Sequence, residues 1–133
     1  MSRENVELAY RFYDAVNRRD LDAWLSVTDE DAELVSILVS VEGGYHGHEG
    51  FRRWWEHVFN AFPDYKIDVE EVRDLGNLTV AAICLHGHGS GSGAPIDQSL
   101  SQAIEWRDGR ATRVESFRSD AEALEAAGLR EQE

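Results

Sequence analysis

The chain has 133 residues, 42% of them hydrophobic, and 26 acidic against 13 basic side chains, for a formal charge of −13. That length holds one domain, residues 1–133, with a real core and no comfortable room for two. The charge repels nucleic-acid backbones and anionic lipid, so neither is expected as a partner. No apolar run approaches the ~20 residues of a membrane span, and the charged N-terminus lacks the apolar block of a signal peptide, so a cytoplasmic protein is expected.

From Glu4 to Asn17, the residues Val6, Leu8, Ala9, Phe12, Tyr13 and Val16 recur at helical spacing and predict an amphipathic helix. Asp20 is a ready cap for a second, shorter helix carrying Leu21, Trp24, Leu25 and Val27. The run AELVSILVSV, residues 32–41, is β-branched and predicts a strand, and the Gly-rich GGYHGHEG after it predicts a loop. Phe51, Trp54, Trp55, Val58, Phe59 and Phe62 then make the apolar stripe of a third helix, ended by Pro63.

Beyond Pro63 the period changes to two: Tyr65, Ile67 and Val69 alternate with Lys66, Asp68 and Glu70. Leu78 to His88 is apolar on both parities and predicts a central strand buried on both faces, with Cys84 as a structural, buried thiol. GSGSGAP makes the next turn. A strand to Trp106, the turn Arg107-Asp108-Gly109-Arg110, a strand to Phe117 and a short helix capped by Ser119 or Asp120 and stopped at Gly128 complete the chain. The order implies an α+β fold, with helices gathered on one face of a mostly antiparallel sheet.

Three stretches, NRRDLDAWLSVTDEDAEL, YHGHEGFRRWWEHVFNAFPD and WRDGRATRVESFRSDAEALEAAGL, carry a likeness over nearly the whole chain. In them the sequence resembles the SnoaL-like branch of the nuclear transport factor 2-like superfamily. The resemblance implies a cone-shaped, curved sheet packed against three helices of the N-terminal half, with a short C-terminal helix. It also implies a pocket between the concave face and the first and third helices, open to a small, largely apolar metabolite, and a homodimer through the outer sheet face. A partner copy would cover the second face of the strand at Leu78 to His88; a helix of the same chain is the alternative cover. The family includes polyketide cyclases, ketosteroid isomerases, epoxide hydrolases and dehydratases, beside members that only bind ligands.

Carried onto this chain, the isomerase pattern places Ser36 where the catalytic aspartate would stand and Phe12 where the tyrosine would stand, with Tyr13 rotated about 100° away on the helix. Gln102 takes the position of the acidic oxyanion donor. A serine is no ordinary general base near neutral pH, and an amide donates hydrogen bonds without exchanging protons. Counted back from the Asp-Gly turn, Trp106, Ile104, Gln102 and Leu100 face inward, so Gln102 is the first candidate for a polar ligand contact, and its replacement by leucine is expected to spare stability. Tyr13, Trp24, Trp55 and Phe59 are candidates for an apolar, ring-lined slot. Arg118, inward by strand parity after Val114 and Ser116, is a candidate for a carboxylate, although Ser36 and Gln102 leave no acids for an epoxide hydrolase's Asp-Arg-Asp group.

His86 and His88, two apart on one strand, share a face and are the candidate proton carriers for the alternative function, an isomerase or aldol-type cyclase acting on a small carbonyl compound. H-x-H lacks a third ligand at a recognisable spacing, so neither metal nor cofactor is assigned. His46 and His48 are expected to shape the entry to the third helix, and His57 to lie exposed on it.

Overall fold

Helix α1 (Ser2–Asn17) buries Ala9, Phe12, Tyr13, Ala15 and Val16, the stripe set out by its period. The computed structural model describes residues 2–36 and 44–131. Helix α2 (Leu21–Ser26) starts where expected, because the Asp20 carboxylate accepts the Ala23 N–H at 3.1 Å. Strand β1 (Thr28–Val35) begins before the apolar run, its half-buried Asp29 and exposed Glu30 and Asp31 alternating badly enough to hide it. Of the predicted strand, residues 37–41 lie outside the described residues.

The predicted Gly-rich loop is corrected to a short strand β2 (Tyr45–His46) that runs directly into helix α3 (Gly47–Ala61); Gly43 lies outside the described residues. Its glycines serve close approach here. Gly47 turns the chain at a φ of +69°, and a Cβ on Gly50 would lie 3.0 Å from the Tyr45 carbonyl carbon. His48 ties this first turn to β1, its Nε2 sitting 2.8 Å from the Thr28 carbonyl oxygen.

Strands β3 (Lys66–Asp74), β4 (Leu78–His88), β5 (Pro95–Arg107) and β6 (Arg110–Phe117) follow, then helix α4 (Asp120–Glu131). Asp108 and Gly109 take φ of 53° and 78°, the paired positive values of a type I′ hairpin, and thereby fix the β5–β6 register. Ser119 caps α4 by accepting the Glu122 N–H at 3.2 Å. The stop expected at Gly128 is not taken: α4 continues to Glu131, since Gly128 keeps a negative φ while Ala123 and Ala127 pack beside it.

The six strands form one curved sheet in the order β2-β1-β6-β5-β4-β3, antiparallel throughout except where β1 runs parallel to β6. Helices α1, α2 and α3 fill its concave face. Asn17 fastens α1 to the sheet edge, its Nδ2 donating to the Ile67 carbonyl at 2.7 Å while its Oδ1 accepts the Ile67 N–H at 2.8 Å. This amide pairs the edge strand as another strand would.

Only the first part of β4 is buried on both faces. Leu78, Val80 and Ala103 find their second cover in Ala123 and Ala127 of α4, so a helix of the same chain covers the outer face there. From Ala82 onward the strand alternates, with Ile83, Leu85 and Gly87 buried and Cys84, His86 and His88 on the outer face. Cys84 is therefore half-buried, against the expectation of a core thiol.

Candidate functional site

The hairpin register turns Leu100, Gln102, Ile104 and Trp106 of β5 onto the concave face, opposite Val114 and Ser116 of β6. Helix α1 lowers Tyr13 onto this surface. The Tyr13 hydroxyl donates to Gln102 Oε1 at 2.8 Å, and Gln102 Nε2 donates to Ser116 Oγ at 3.1 Å. Tyr13 is 1% exposed, and burial, with Tyr65 adding to it, raises its pKa far above the ordinary phenol value. It stays a neutral donor at any physiological pH. Among the described residues, one Gln102 amide hydrogen and the Ser116 hydroxyl hydrogen are left for a further acceptor.

Around this polar centre runs a continuous set of aromatic contacts. Phe12 meets Tyr13 and Trp24, each at 5.4 Å between ring centroids, and Trp24 meets Trp54 and Trp55, each at 5.3 Å. Trp55 continues to Phe59 at 4.9 Å, and Phe59 to Tyr65 at 5.8 Å. Phe12 and Trp24 are buried, whereas Trp55, Phe59 and Gln102 are half-buried. Among these rings two donors lack acceptors: the indole N–H groups of Trp24 and Trp54 are buried with no hydrogen-bond partner. Native interiors rarely leave such groups unpaired. A cleft of about 390 Å³ opens elsewhere, lined by Leu78, Glu105, Trp106, Arg107 and Ala127 among others, and includes none of Tyr13, Gln102 and Ser116.

The SnoaL-like domain profile matches residues 9–114, most of the chain. The chain belongs to the SnoaL-like family. Solved structures agree on the fold. TerC, co-crystallised with polyporic acid, is 24% identical with a TM-score of 0.74, covering 92% of this chain and 96% of TerC. A protein of Jannaschia sp. CCS1 described as a SnoaL-like polyketide cyclase is 21% identical with a TM-score of 0.76, covering 95% of this chain and 92% of that one. A nuclear transport factor 2-like protein of Burkholderia xenovorans LB400 is 18% identical with a TM-score of 0.75, covering 95% and 97%. No curated protein matches the chain in sequence.

Within this SnoaL-like frame the predicted site residues separate into two groups. Tyr13, Phe12, Trp24, Trp55, Phe59 and Gln102 come together on the concave side. Phe12 joins the ring contacts, and its neighbour Tyr13 makes the bond to Gln102. Ser36 is half-buried just past the end of β1. Arg118 leaves the group: β6 ends at Phe117, the chain turns toward α4, and Arg118 is exposed with its backbone N–H on the Glu122 carboxylate.

His86 and His88 also leave it. They share a face as their spacing requires, but that face is the outer one of the SnoaL-like sheet. His86 Nε2 lies 2.9 Å from Asp68 Oδ2, and His88 Nδ1 lies 2.6 Å from Asp64 Oδ2. His88 donates to both Asp64 oxygens, by side chain and by backbone N–H, and holds that carboxyl below its usual pKa range. His57 is exposed, as expected, and bonds the Tyr45 hydroxyl through Nδ1 at 2.9 Å. Ser116, the partner of Gln102, is not among the expected site residues; its place directly across the hairpin from Gln102 is the signal the sequence carried for it.

Proposed function

We propose that the concave face binds a small, largely apolar metabolite with a hydrogen-bond-accepting oxygen, and that the protein acts by binding, with catalysis weak or absent. One observation carries this reading. The polar centre is built from a phenol, an amide and a hydroxyl, and among the described residues none of the three bonds a carboxylate or an imidazole. Such a centre donates hydrogen bonds to a carbonyl but has no group to take a proton from carbon near pH 7. The aromatic walls supply apolar area, and the unpaired Trp24 and Trp54 donors add sites for an acceptor. The outer-face position of His86 and His88 argues against the isomerase or cyclase alternative that would use either as base.

A homodimer through the outer sheet face is proposed on narrower grounds than an apolar patch, because α4 already covers Leu78, Val80 and Ala103. The remaining half-buried Ala82 and Phe117 would supply its contacts; light scattering that finds only monomer at high concentration would remove it. A cytoplasmic location fits a chain whose single cysteine has no disulfide partner within it. Among the described residues no helix is long and apolar enough to cross a membrane.

Tryptophan fluorescence tests the binding reading, since Trp24, Trp54 and Trp55 all belong to the ring cluster. Polyporic acid, the compound co-crystallised with TerC, and a series of flat polycyclic ketones are the probes. Saturable quenching that Gln102→Leu weakens severalfold is expected for at least one of them. Strictly linear quenching by all, or a co-crystal with the probe seated in the cleft beside Arg107, would refute it.

A further inference from the structure

We propose that Cys84, His86 and Asp97 on the outer sheet face form a binding site for one divalent transition-metal ion of the zinc class, with Asp68 orienting His86. Sequence spacing offers only histidines two apart, whereas the sheet register brings the third ligand, Asp97, from the neighbouring strand. Cys84 and His86 stand two apart on β4, so their side chains share a face. Asp97 of β5 lies directly across from His86, and Asp68 of β3 directly across from Cys84.

The donor atoms are already close to what an ion requires. Cys84 Sγ lies 3.1 Å from Asp97 Oδ1, His86 Nδ1 lies 3.6 Å from that same oxygen, and one ligand atom from each of the three residues lies within 4.8 Å of the others. Tetrahedral zinc with metal–sulfur and metal–nitrogen bonds of its usual lengths separates neighbouring ligand atoms by roughly 3.3–3.5 Å. Thiolate, imidazole and carboxylate together form a borderline-soft set suited to zinc or cobalt and unsuited to magnesium or calcium.

His86 supplies the second argument. Its Nε2 faces Asp68 Oδ2 at 2.9 Å, while Lys66 Nζ lies 3.6 Å from Asp68 Oδ1. A carboxylate that accepts the Nε2–H fixes the tautomer with a lone pair on Nδ1, the nitrogen facing Asp97. Asp68 is thus a positioning residue in the manner of the carboxylate–histidine pairs that support bound metals. Binding would expel the Cys84 proton, which Asp97 now accepts in a hydrogen bond. The side chains of His86 and Asp97 are 39% and 76% exposed, leaving an entry path and a fourth position for water.

Cobalt titration of the full-length, thiol-reduced protein is the test, because the chain has one cysteine and any thiolate-to-cobalt charge-transfer band must come from Cys84. The expected result is that band together with intense visible bands of tetrahedral cobalt, saturating at one ion per chain and displaced by zinc. Cys84→Ser should abolish the band. Asp97→Asn should weaken binding, Asp68→Asn should weaken it about 10–100-fold, and His88→Ala should leave it unchanged. Zinc should also slow the reaction of the lone thiol with a disulfide reagent, in wild type but not in His86→Ala. All these side chains stand on the outer face away from the core, and circular dichroism is the check that each variant folds. No charge-transfer band in large cobalt excess, saturation at one ion per two chains, or an affinity indifferent to both His86→Ala and Asp97→Asn would overturn the proposal.

Discussion

Gln102→Leu is the most informative perturbation of the polar centre, and the structure reverses the expectation that it spares stability. Gln102 Oε1 is the acceptor for the hydroxyl of Tyr13, itself 1% exposed. With leucine in its place that O–H has neither partner nor water, and an orphaned buried donor costs roughly 1–3 kcal/mol. For a domain of this size a loss of about 2 kcal/mol lowers Tm by roughly 5–10 °C. Tyr13→Phe removes the donor instead and leaves the acceptor on a half-buried side chain that water can reach, for about 1 kcal/mol. The double variant strands neither group, so it should cost no more than Gln102→Leu alone, giving a coupling energy of about 1 kcal/mol or more. Urea denaturation of the four proteins, with thermal melts alongside, measures the cycle. Strictly additive single costs, or a neutral Gln102→Leu, would refute the reasoning.

Asn17→Ala removes both bonds to Ile67 at the sheet edge and should cost about 1–3 kcal/mol, with faster amide exchange at Ile67 as the local readout. Gly50→Ala places a Cβ 3.0 Å from backbone atoms of Tyr45, so α3 must shift; a loss of about 1–3 kcal/mol in urea denaturation is expected. Isomerisation of a β,γ-unsaturated ketone should not exceed the buffer rate for the wild type, and Ser36→Asp should give only feeble turnover, because the Tyr13–Gln102 centre still lacks an acidic donor. The Asp64 carboxyl, held low mainly by its side-chain hydrogen bond with His88, titrates below its unfolded-state value. Its contribution is therefore present above the unfolded pKa and lost as pH falls through the folded one. His88→Ala should move the Asp64 carboxyl titration upward in NMR, and an unmoved titration would assign the shift to another cause.

Elements with a strong local signal were legible in the chain itself. The apolar stripe of α1, the Asp20 cap and the Asp108-Gly109 turn each depend on residues within a few positions of one another. That turn also fixed Gln102 as inward-facing, since a two-residue hairpin sets register and a strand alternates with a period of two. The same parity failed for Arg118, because alternation holds only while the strand lasts and Ser119 starts a helix cap instead.

What the sequence determined by itself was therefore relative: His86 and His88 had to share a face, and Tyr13 had to stand about 100° from Phe12 around its helix. Which face and which partner were decided only in the tertiary structure. Helices α1 to α3 claimed the side of the sheet bearing Ile83 and Leu85, which sent both histidines outward to Asp64, Asp68 and Asp97. The seating of α1 then brought Tyr13, and not Phe12, to Gln102, because a hydrogen bond between residues 89 apart depends on how a helix docks against a sheet and leaves no trace in local spacing.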